Sequence, residues 1–380
     1  MPTYDYIIIG AGASGLLLAD ALGTDSFFSD KSILILDKSD KSNNDRTWCF
    51  WEKGIGSFDT LFFKAWSKVH FEGKELNIHP SISPYSYKML RGIDFYQCYL
   101  AKVEGYPNIH FQKDEIEELQ ENDNQVIIKG KQGTYAAFQV FDSRFDYGKL
   151  KRESKHPVLQ QHFLGWFVKT DQSVFDIETP SFMDFSIPQK GNTRFMYVLP
   201  FSENEALVEY TLFSEDVLEK GEYETAIKTY LKEKLDIDSF EITDLEHGNI
   251  PMTCHDFTKD NTKRILKIGT AGGWAKASTG YTFHSSVKKV KQLILHLKEG
   301  KKPSSFGKRN RFWYYDLLLL DILHKENSLG REIFESLFEK RTPQLIFKFL
   351  DEETNLWEDL KILTACPKWP FINALFKRLF

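Results

Sequence analysis

The stretch YDYIIIGAGASGLLLADALGTDSFFSDKSILILD, residues 4–37, decides the fold. Tyr4 to Ile9 is a short apolar run, the pattern of a strand buried in a parallel sheet. Gly10-Ala11-Gly12-Ala13-Ser14-Gly15 follows at once, and Ser14 to Leu22 then reads as a helix. Ser32 to Leu36 is a second buried strand, ending at Asp37. This βαβ order places a G-x-G-x-x-G between strand and helix. Gly10 permits the tight turn, Gly12 lets a pyrophosphate approach the backbone, and Gly15 lets helix and strand pack closely. The helix N-terminus supplies free N–H groups and partial positive charge. Asp37, 22 residues beyond Gly15, is placed to accept hydrogen bonds from ribose hydroxyls. The unit predicts a dinucleotide site; a purely structural turn is the bland alternative.

Outward from this unit, composition sets limits. The chain has 380 residues, 27% of them charged, with a net charge of −5. Its mean hydropathy is −0.39. No apolar run reaches the roughly 18 to 20 residues of a spanning helix, and the acidic balance argues against a nucleic-acid partner. Cys49, Cys98, Cys254 and Cys366 are widely spaced without a CxxC pair. They read as reduced thiols in a cytoplasmic setting, with no metal site. The N-terminus shows neither a charged n-region nor a cleavage site, which predicts no export. A surplus remains to be explained: 32 Phe, 16 Tyr and 8 Trp make the chain 15% aromatic.

Further along, Tyr87 to Glu104 reads as a helix, and Ile109–Gln112, Gln125–Lys129 and Tyr135–Phe141 as a β-meander. Strand-like segments lie between Gly165 and Leu212, including Phe195–Leu199 and Ala206–Leu212, and Glu222–Lys234 reads as a helix. Ile265–Gly269 is a buried strand followed by glycines and the helix Ser285–Lys298. The predicted fold is α/β. A Rossmann-type FAD-binding domain takes its βαβ part from residues 1–80 and its helix and meander from 81–155. A β-rich, antiparallel substrate domain spans 156–260, the chain returns to the first domain over 261–300, and residues 301–380 form a helical C-terminal region.

FAD is favoured over NAD because the second strand leads to a meander instead of further strand–helix alternation. The late element Gly269-Thr270-Ala271-Gly272-Gly273, between strand and helix, resembles the distal FAD motif of large two-domain flavoproteins. Those often carry Gly-Asp where Gly269-Thr270 stands. Arg91, in the predicted Tyr87–Glu104 helix, resembles the arginine that reaches FAD in flavin hydroxylases; an exposed helix arginine is the alternative.

Five ordered segments carry a closer likeness. Asp45-Arg46-Thr47-Trp48-Cys49-Phe50-Trp51-Glu52 resembles the N-x-T-W-x-F signature of lycopene β-cyclases. QQHFLG (160–165) resembles their Q-x-F-x-G segment, and Met183-Asp184-Phe185 with Arg194 to Pro200 their M-D … F-x-Y-x-L-P block. Leu207-Val208-Glu209-Tyr210-Thr211 resembles L-V-E-[ED]-T, with Tyr210 at the second acidic position. Gly272 to Phe283 resembles the glycine-rich loop ending in T-G-Y. The likeness runs from residue 4 to about residue 300.

The resemblance implies an isomerase of carotenoid biosynthesis that closes the ψ-ends of lycopene into β-ionone rings, giving γ- and β-carotene. It implies reduced FAD as cofactor, although no net electrons flow, with NAD(P)H as outside reductant. Protonation at C2 leaves a cation at C1, the C5=C6 bond attacks it, and loss of the C6 proton completes the ring. Such chemistry needs a carboxyl kept protonated by burial, a base, and a dry cation pocket. The resemblance carries the family's catalytic glutamate onto Glu209. Local pattern alone allows a solvent-facing strand carboxylate, although period-2 alternation sets Glu209 on the face opposite Val208. Glu52 is a second catalytic candidate, for deprotonation or flavin positioning; Asp45 and Asp184 are weaker ones. Trp48, Trp51, Phe195 and Tyr197 are candidates for cation–π stabilisation. An FAD-dependent monooxygenase or prenyl reductase acting on a lipid is the rival reading; it does not need the Glu209 block.

Lycopene resides in bilayers, so the resemblance implies a membrane surface as partner. Phe312–His324 is strongly apolar, and Lys368–Phe380 mixes Trp, Phe and Leu with Lys and Arg, the composition of an interfacial helix. Helices packing a lid onto the core are the alternative. The expectation is peripheral attachment to the inner face of the cell membrane, without spanning.

Overall fold

A computed structural model describes residues 1–379. In chain order, β1 (Thr3–Ile9), α1 (Ala13–Thr24) and β2 (Ile33–Asp37) open the fold. Next come β3 (Thr47–Lys53), β4 (Lys64–Trp66), β5 (His70–Glu72), β6 (Asn77–Ile78), β7 (Tyr85–Arg91) and α2 (Gly92–Glu104). They lead to β8 (Ile109–Lys113), β9 (Ile116–Glu121), β10 (Val126–Gly130), β11 (Thr134–Asp142) and α3 (Tyr147–Glu153). The middle of the chain holds β12 (Val158–Lys169), β13 (Ser181–Asp184), β14 (Thr193–Pro200), β15 (Glu205–Ser214), α4 (Lys220–Glu233) and β16 (Glu241–Thr253). β17 (Ile265–Lys267) and α5 (Phe283–Lys298) precede the last five helices, α6 (Arg311–Lys325), α7 (Gly330–Lys340), α8 (Pro343–Leu350), α9 (Leu356–Ala365) and α10 (Lys368–Leu379).

The first sheet runs β8-β2-β1-β11-β10-β9, with β17 paired to β11. β8, β2, β1, β11 and β17 are parallel. β2 is buried at all five positions, as its ILILD sequence requires of a strand covered on both faces. On one face α1, α2 and α5 pack around Leu16, Phe28, Phe95 and Phe283. The meander is β9-β10-β11. Ile109–Gln112, expected within it, instead adds in parallel beside β2, and the missing strand is Ile116–Glu121. Its sequence IEELQE has few strand formers because it is an edge facing water.

The helix expected over Tyr87–Glu104 is two elements. Tyr85–Arg91 is a strand between β3 and β4, and helix begins only at Gly92. Tyr85, Tyr87 and Met89 alternate inward and are buried, so period 2 wins over the helical pattern. Gly92 marks the switch: its N–H donates to the Arg46 carbonyl at 2.6 Å, and a Cβ there would lie 2.9 Å from that oxygen.

The second sheet runs β16-β12-β15-β14-β13-β5-β6. Residues 70–78, early in the chain, thus join this sheet through the parallel β5–β13 pair. One face, with Val208, Tyr210 and Leu212, packs on Tyr223, Ile227 and Tyr230 of α4. The other, with Leu207 and Phe213, packs towards Phe334, Phe338 and Phe347 of the C-terminal helices. Between this second face and the helices lies the cavity described next.

Candidate active site

The two glycine loops meet. Gly10 has φ +102°, a conformation open chiefly to glycine, and a Cβ on Gly15 would be driven into the Gly10 carbonyl. At Gly12 a Cβ would meet nothing within 4 Å. No side chain caps α1 at Gly12, so the first N–H groups of the helix are left for a ligand. From the distal loop, Gly269 (φ +59°) approaches Ser14 closely enough that a Cβ would lie 2.9 Å from Ser14 Oγ. Ser14 and Ser286 are joined at 2.9 Å, tying α1 to α5. Gly272 and Gly273 sit just past Thr270, and Gly273 takes φ +68°. These features suit a bound pyrophosphate: a bare helix end, an open approach at Gly12 and positive-φ glycines around it.

Asp37 ends β2 beside this region, as expected, whereas Arg91 is placed otherwise. Asp37 Oδ2 accepts the Ala11 N–H at 2.6 Å and Oδ1 the Ser39 N–H at 2.8 Å, with Lys41 Nζ 3.3 Å away. Its carboxylate therefore shapes the loop, with lone pairs to spare for a ribose. Arg91 is not on a helix. It ends β7, forks onto Asp94 at 2.6 and 2.9 Å, and its guanidinium lies 4.3 Å from the centre of the Phe63 ring.

A cavity of about 350 Å³ starts beside Arg46, Trp48 and Thr270 and runs between the second sheet and the C-terminal helices. Glu209 stands on its floor. Along β15, Leu207, Glu209, Thr211 and Phe213 line the cavity, while Val208, Tyr210 and Leu212 face the α4 layer. Strand alternation thus turns Glu209 inward, opposite Val208. It also accounts for Tyr210 at the second acidic position: that side chain points away from the cavity and accepts a hydrogen bond from Arg194 at 2.7 Å.

Glu209 is only 8% exposed and accepts a hydrogen bond from the Thr211 hydroxyl. Burial, then the nearby Glu246 carboxylate, push its carboxyl up to about 8, opposed by Thr211. At neutral pH it holds its proton, as an acid in a dry site must. Glu246, on β16, lines the same cavity. It accepts the Thr47 N–H at 2.9 Å and the Thr47 hydroxyl. Burial raises it as well, with both Thr47 bonds opposing. Glu246 has no local signature: EITDLEHGNIPMT shows no clear alternation, and its place depends on strand pairing with β12.

Next to Glu209, three tyrosine hydroxyls converge: Tyr87 to Tyr197 at 2.5 Å and Tyr87 to Tyr281 at 3.2 Å. Burial raises all three, so they stay neutral, and it pushes the adjoining Cys49 thiol up to about 12. Trp48, Phe195 and Tyr197 line the cavity. Trp51 does not; it stacks on Phe347 at 4.6 Å and donates to Asp351 at 2.8 Å. Glu52 is outside the cavity too, ion-paired with buried Lys88 at 3.0 Å. Lys88 also pairs with Asp59 at 2.5 Å, so the environment of Glu52 is an ion cluster. Asp45 accepts a hydrogen bond from Tyr96, and Asp184, fully buried, one from Tyr230. Towards its far end the cavity is almost wholly apolar, lined by residues such as Leu337, Phe338, Ile362, Leu363 and Phe371.

The fold and the paired glycine loops define a class, the two-domain flavoprotein fold. A geranylgeranyl bacteriochlorophyll reductase-like protein from Thermoplasma acidophilum matches over all of both chains at 12% identity, TM-score 0.63. A flavoprotein/dehydrogenase from Cytophaga hutchinsonii matches over 99% of this chain and 100% of its own, at 12% identity and TM-score 0.62. A flavin-dependent brominase matches over 99% of each chain at 12% identity, TM-score 0.60. No curated protein sequence matches the chain. The profile of the family described as lycopene cyclase protein matches residues 5–376. The chain belongs to the lycopene cyclase family.

Proposed function

We propose that the protein is a lycopene β-cyclase, an isomerase that closes ψ-ends of lycopene into β-ionone rings with FAD as its resident cofactor. The observation that carries this reading is Glu209: a buried, proton-bearing carboxyl on the floor of an apolar, aromatic-walled cavity that reaches Thr270 of the distal glycine loop. An isolated alkene is a poor proton acceptor, and the protonation with which cyclisation begins requires such an acid. The same fold serves reductases and halogenases, so the fold alone does not choose among these activities.

Glu209 donates its proton to C2 of a ψ-end held against β15. Trp48, Phe195 and Tyr197 present ring faces to the resulting cation and exclude water that would trap it. Gly12, with the N-terminus of α1, and the Gly269–Gly273 loop would hold FAD, and Asp37 would accept from a ribose hydroxyl. When bound and reduced, FAD supplies negative charge beside the developing cation. NAD(P)H serves as the outside reductant.

The substrate enters from a membrane surface. No helix among the described residues is long and apolar enough to cross a membrane. Leu356, Trp357 and Leu360 on α9 and Trp369, Ile372, Leu375 and Leu379 on α10 are nevertheless exposed. Leu363 and Phe371, on the same two helices, line the cavity. Exposed lysines 361, 368 and 377 suit an anionic headgroup layer. Phe380, part of the segment read as an interfacial helix, lies outside the described residues.

The test is expression in a lycopene-accumulating bacterial host with chromatographic separation of pigments. Wild type should convert lycopene to γ- or β-carotene. Glu209→Gln should purify with flavin bound yet leave lycopene intact, because an amide does not donate the proton. Lycopene unchanged by wild type would refute the assignment. NAD(P)H oxidation coupled to substrate and oxygen would favour the monooxygenase reading.

A further inference from the structure

Glu209 and Glu246 lie on different strands, yet both are in register with one residue. Gly165 of β12 faces Glu209 of β15 on one side and Glu246 of β16 on the other. Directly opposed residues of neighbouring strands project to the same face of a sheet, so both carboxyl groups rise from the cavity floor. Between them is a residue without a side chain. A Cβ on Gly165 would lie 2.8 Å from Leu207 Cδ1 and 3.4 Å from Glu209 Cβ. With strands about 5 Å apart, the two side chains can lean towards each other over this gap.

Their surroundings differ. Glu246 receives two hydrogen bonds from Thr47, N–H and O–H, both of which favour the ionised form. Glu209 receives one, from Thr211. Both carboxyl groups line one buried cavity and burial raises both, while the Glu246 charge raises Glu209 further, so the proton of the pair sits on Glu209. Through its bonds to Thr47, Glu246 is also held beside Arg46 and Trp48 in the cavity lining.

We propose that Glu246 is the base that removes the C6 proton, and that the Glu209–Glu246 pair recycles one proton across Gly165 in each turnover. This rests on the cyclase reading above. The Glu209 O–H bond breaks as C2–H forms from the C1=C2 electron pair, leaving the cation at C1. The C5=C6 pair then makes the C1–C6 bond and moves the cation to C5. Glu246 takes the proton from C6, and the C–H electron pair restores C5=C6. Transfer of that proton from Glu246 to Glu209 returns the starting state, with no net gain or loss of protons or electrons. The position of the base also sets the ring type. Loss from C6 gives the β ring, whereas loss from C4 gives ε and loss from the C5 methyl gives γ.

Wild type, Glu246→Gln and Glu246→Asp are compared in the lycopene-accumulating host, at equal bound flavin, by rate and by ring type. Gln keeps an acceptor for the Thr47 N–H, presents an N–H that the Thr47 hydroxyl can accept in place of donating, and removes the base. Its β-ring formation should fall by roughly 10²-fold or more, or the rings formed should include ε or γ types. A loss under about tenfold with β rings alone would overturn the role of Glu246 and leave the cyclase reading intact, given the usual size of base catalysis. Absence of any cyclic pigment from wild type would overturn both. Should Glu246→Gln not accumulate as a flavoprotein, Glu246→Asp is read by the same criteria, since it withdraws the carboxylate by one methylene.

Discussion

At the scale of single residues, the site depends on which face of a strand each side chain takes. Glu209 faces the cavity because Val208 and Tyr210 face α4, and burial sets its protonation. Its carboxyl is pushed up to about 8 from an ordinary value of 4.5. As an acid it acts only while protonated, so cyclisation should be present below pH 8 and fall as pH rises through that value. Initial rates against pH with flavin-loaded protein check this; a rate that increases from pH 7 to 9 would contradict it. The same shift costs stability. Between pH 4.5 and 8 the folded chain binds more protons than the unfolded one, so stability falls as pH rises through that window. Glu209→Gln removes this titration. Its melting temperature should therefore gain on wild type by more at pH 8 than at pH 5, as differential scanning calorimetry would record.

At the scale of elements, α1 and its loop were legible because their constraints are local. A turn, a bare helix end and a close contact follow from glycines at fixed spacing, and the geometry agrees at Gly10, Gly12 and Gly15. Gly12→Val is the corresponding test. A Cβ there meets nothing within 4 Å, so the fold should survive at a cost of about 1 kcal/mol for a poor helix cap. The branched side chain would instead occupy the approach of the pyrophosphate. The purified variant should be colourless, with a far-ultraviolet circular dichroism spectrum like wild type; a yellow product would refute the loop assignment. Tyr87–Arg91 and Ile116–Glu121 were less legible. The first carries residues that satisfy a helical period as well as a strand, and only pairing with β3 and β4 decides between them. The second is a charged edge whose strand character comes from its partner β10.

At the scale of the whole molecule, the aromatic surplus has several destinations. Phe28, Phe95 and Phe283 fill the first core, Phe182, Phe195, Phe334 and Phe338 line the cavity, and Trp357 and Trp369 stand in solvent at 78% and 75% exposure. Two exposed tryptophans on adjoining helices, near the cavity's apolar end, suit a bilayer interface. Burying one such side chain contributes about 2 kcal/mol. Trp357→Glu combined with Trp369→Glu should therefore weaken binding to anionic vesicles by roughly tenfold or more, with flavin content unchanged. Vesicle flotation reads this, and undiminished flotation would remove α9 and α10 from the contact.

The amino-acid sequence by itself determined the βαβ unit, both glycine loops, the opposition of Glu209 to Val208 along its strand and the likeness to a family. Each is a short-range pattern, set by backbone conformation or by strand alternation within a few residues. Tertiary structure alone decided that Arg91 ends a strand paired with β3, that Glu52 belongs to an ion cluster with Lys88, and that Trp51 packs against Phe347. It alone brought Glu246, 37 residues further along the chain, to the far side of Gly165 from Glu209. Such placements depend on strand register and packing between segments distant in sequence, which no local pattern encodes.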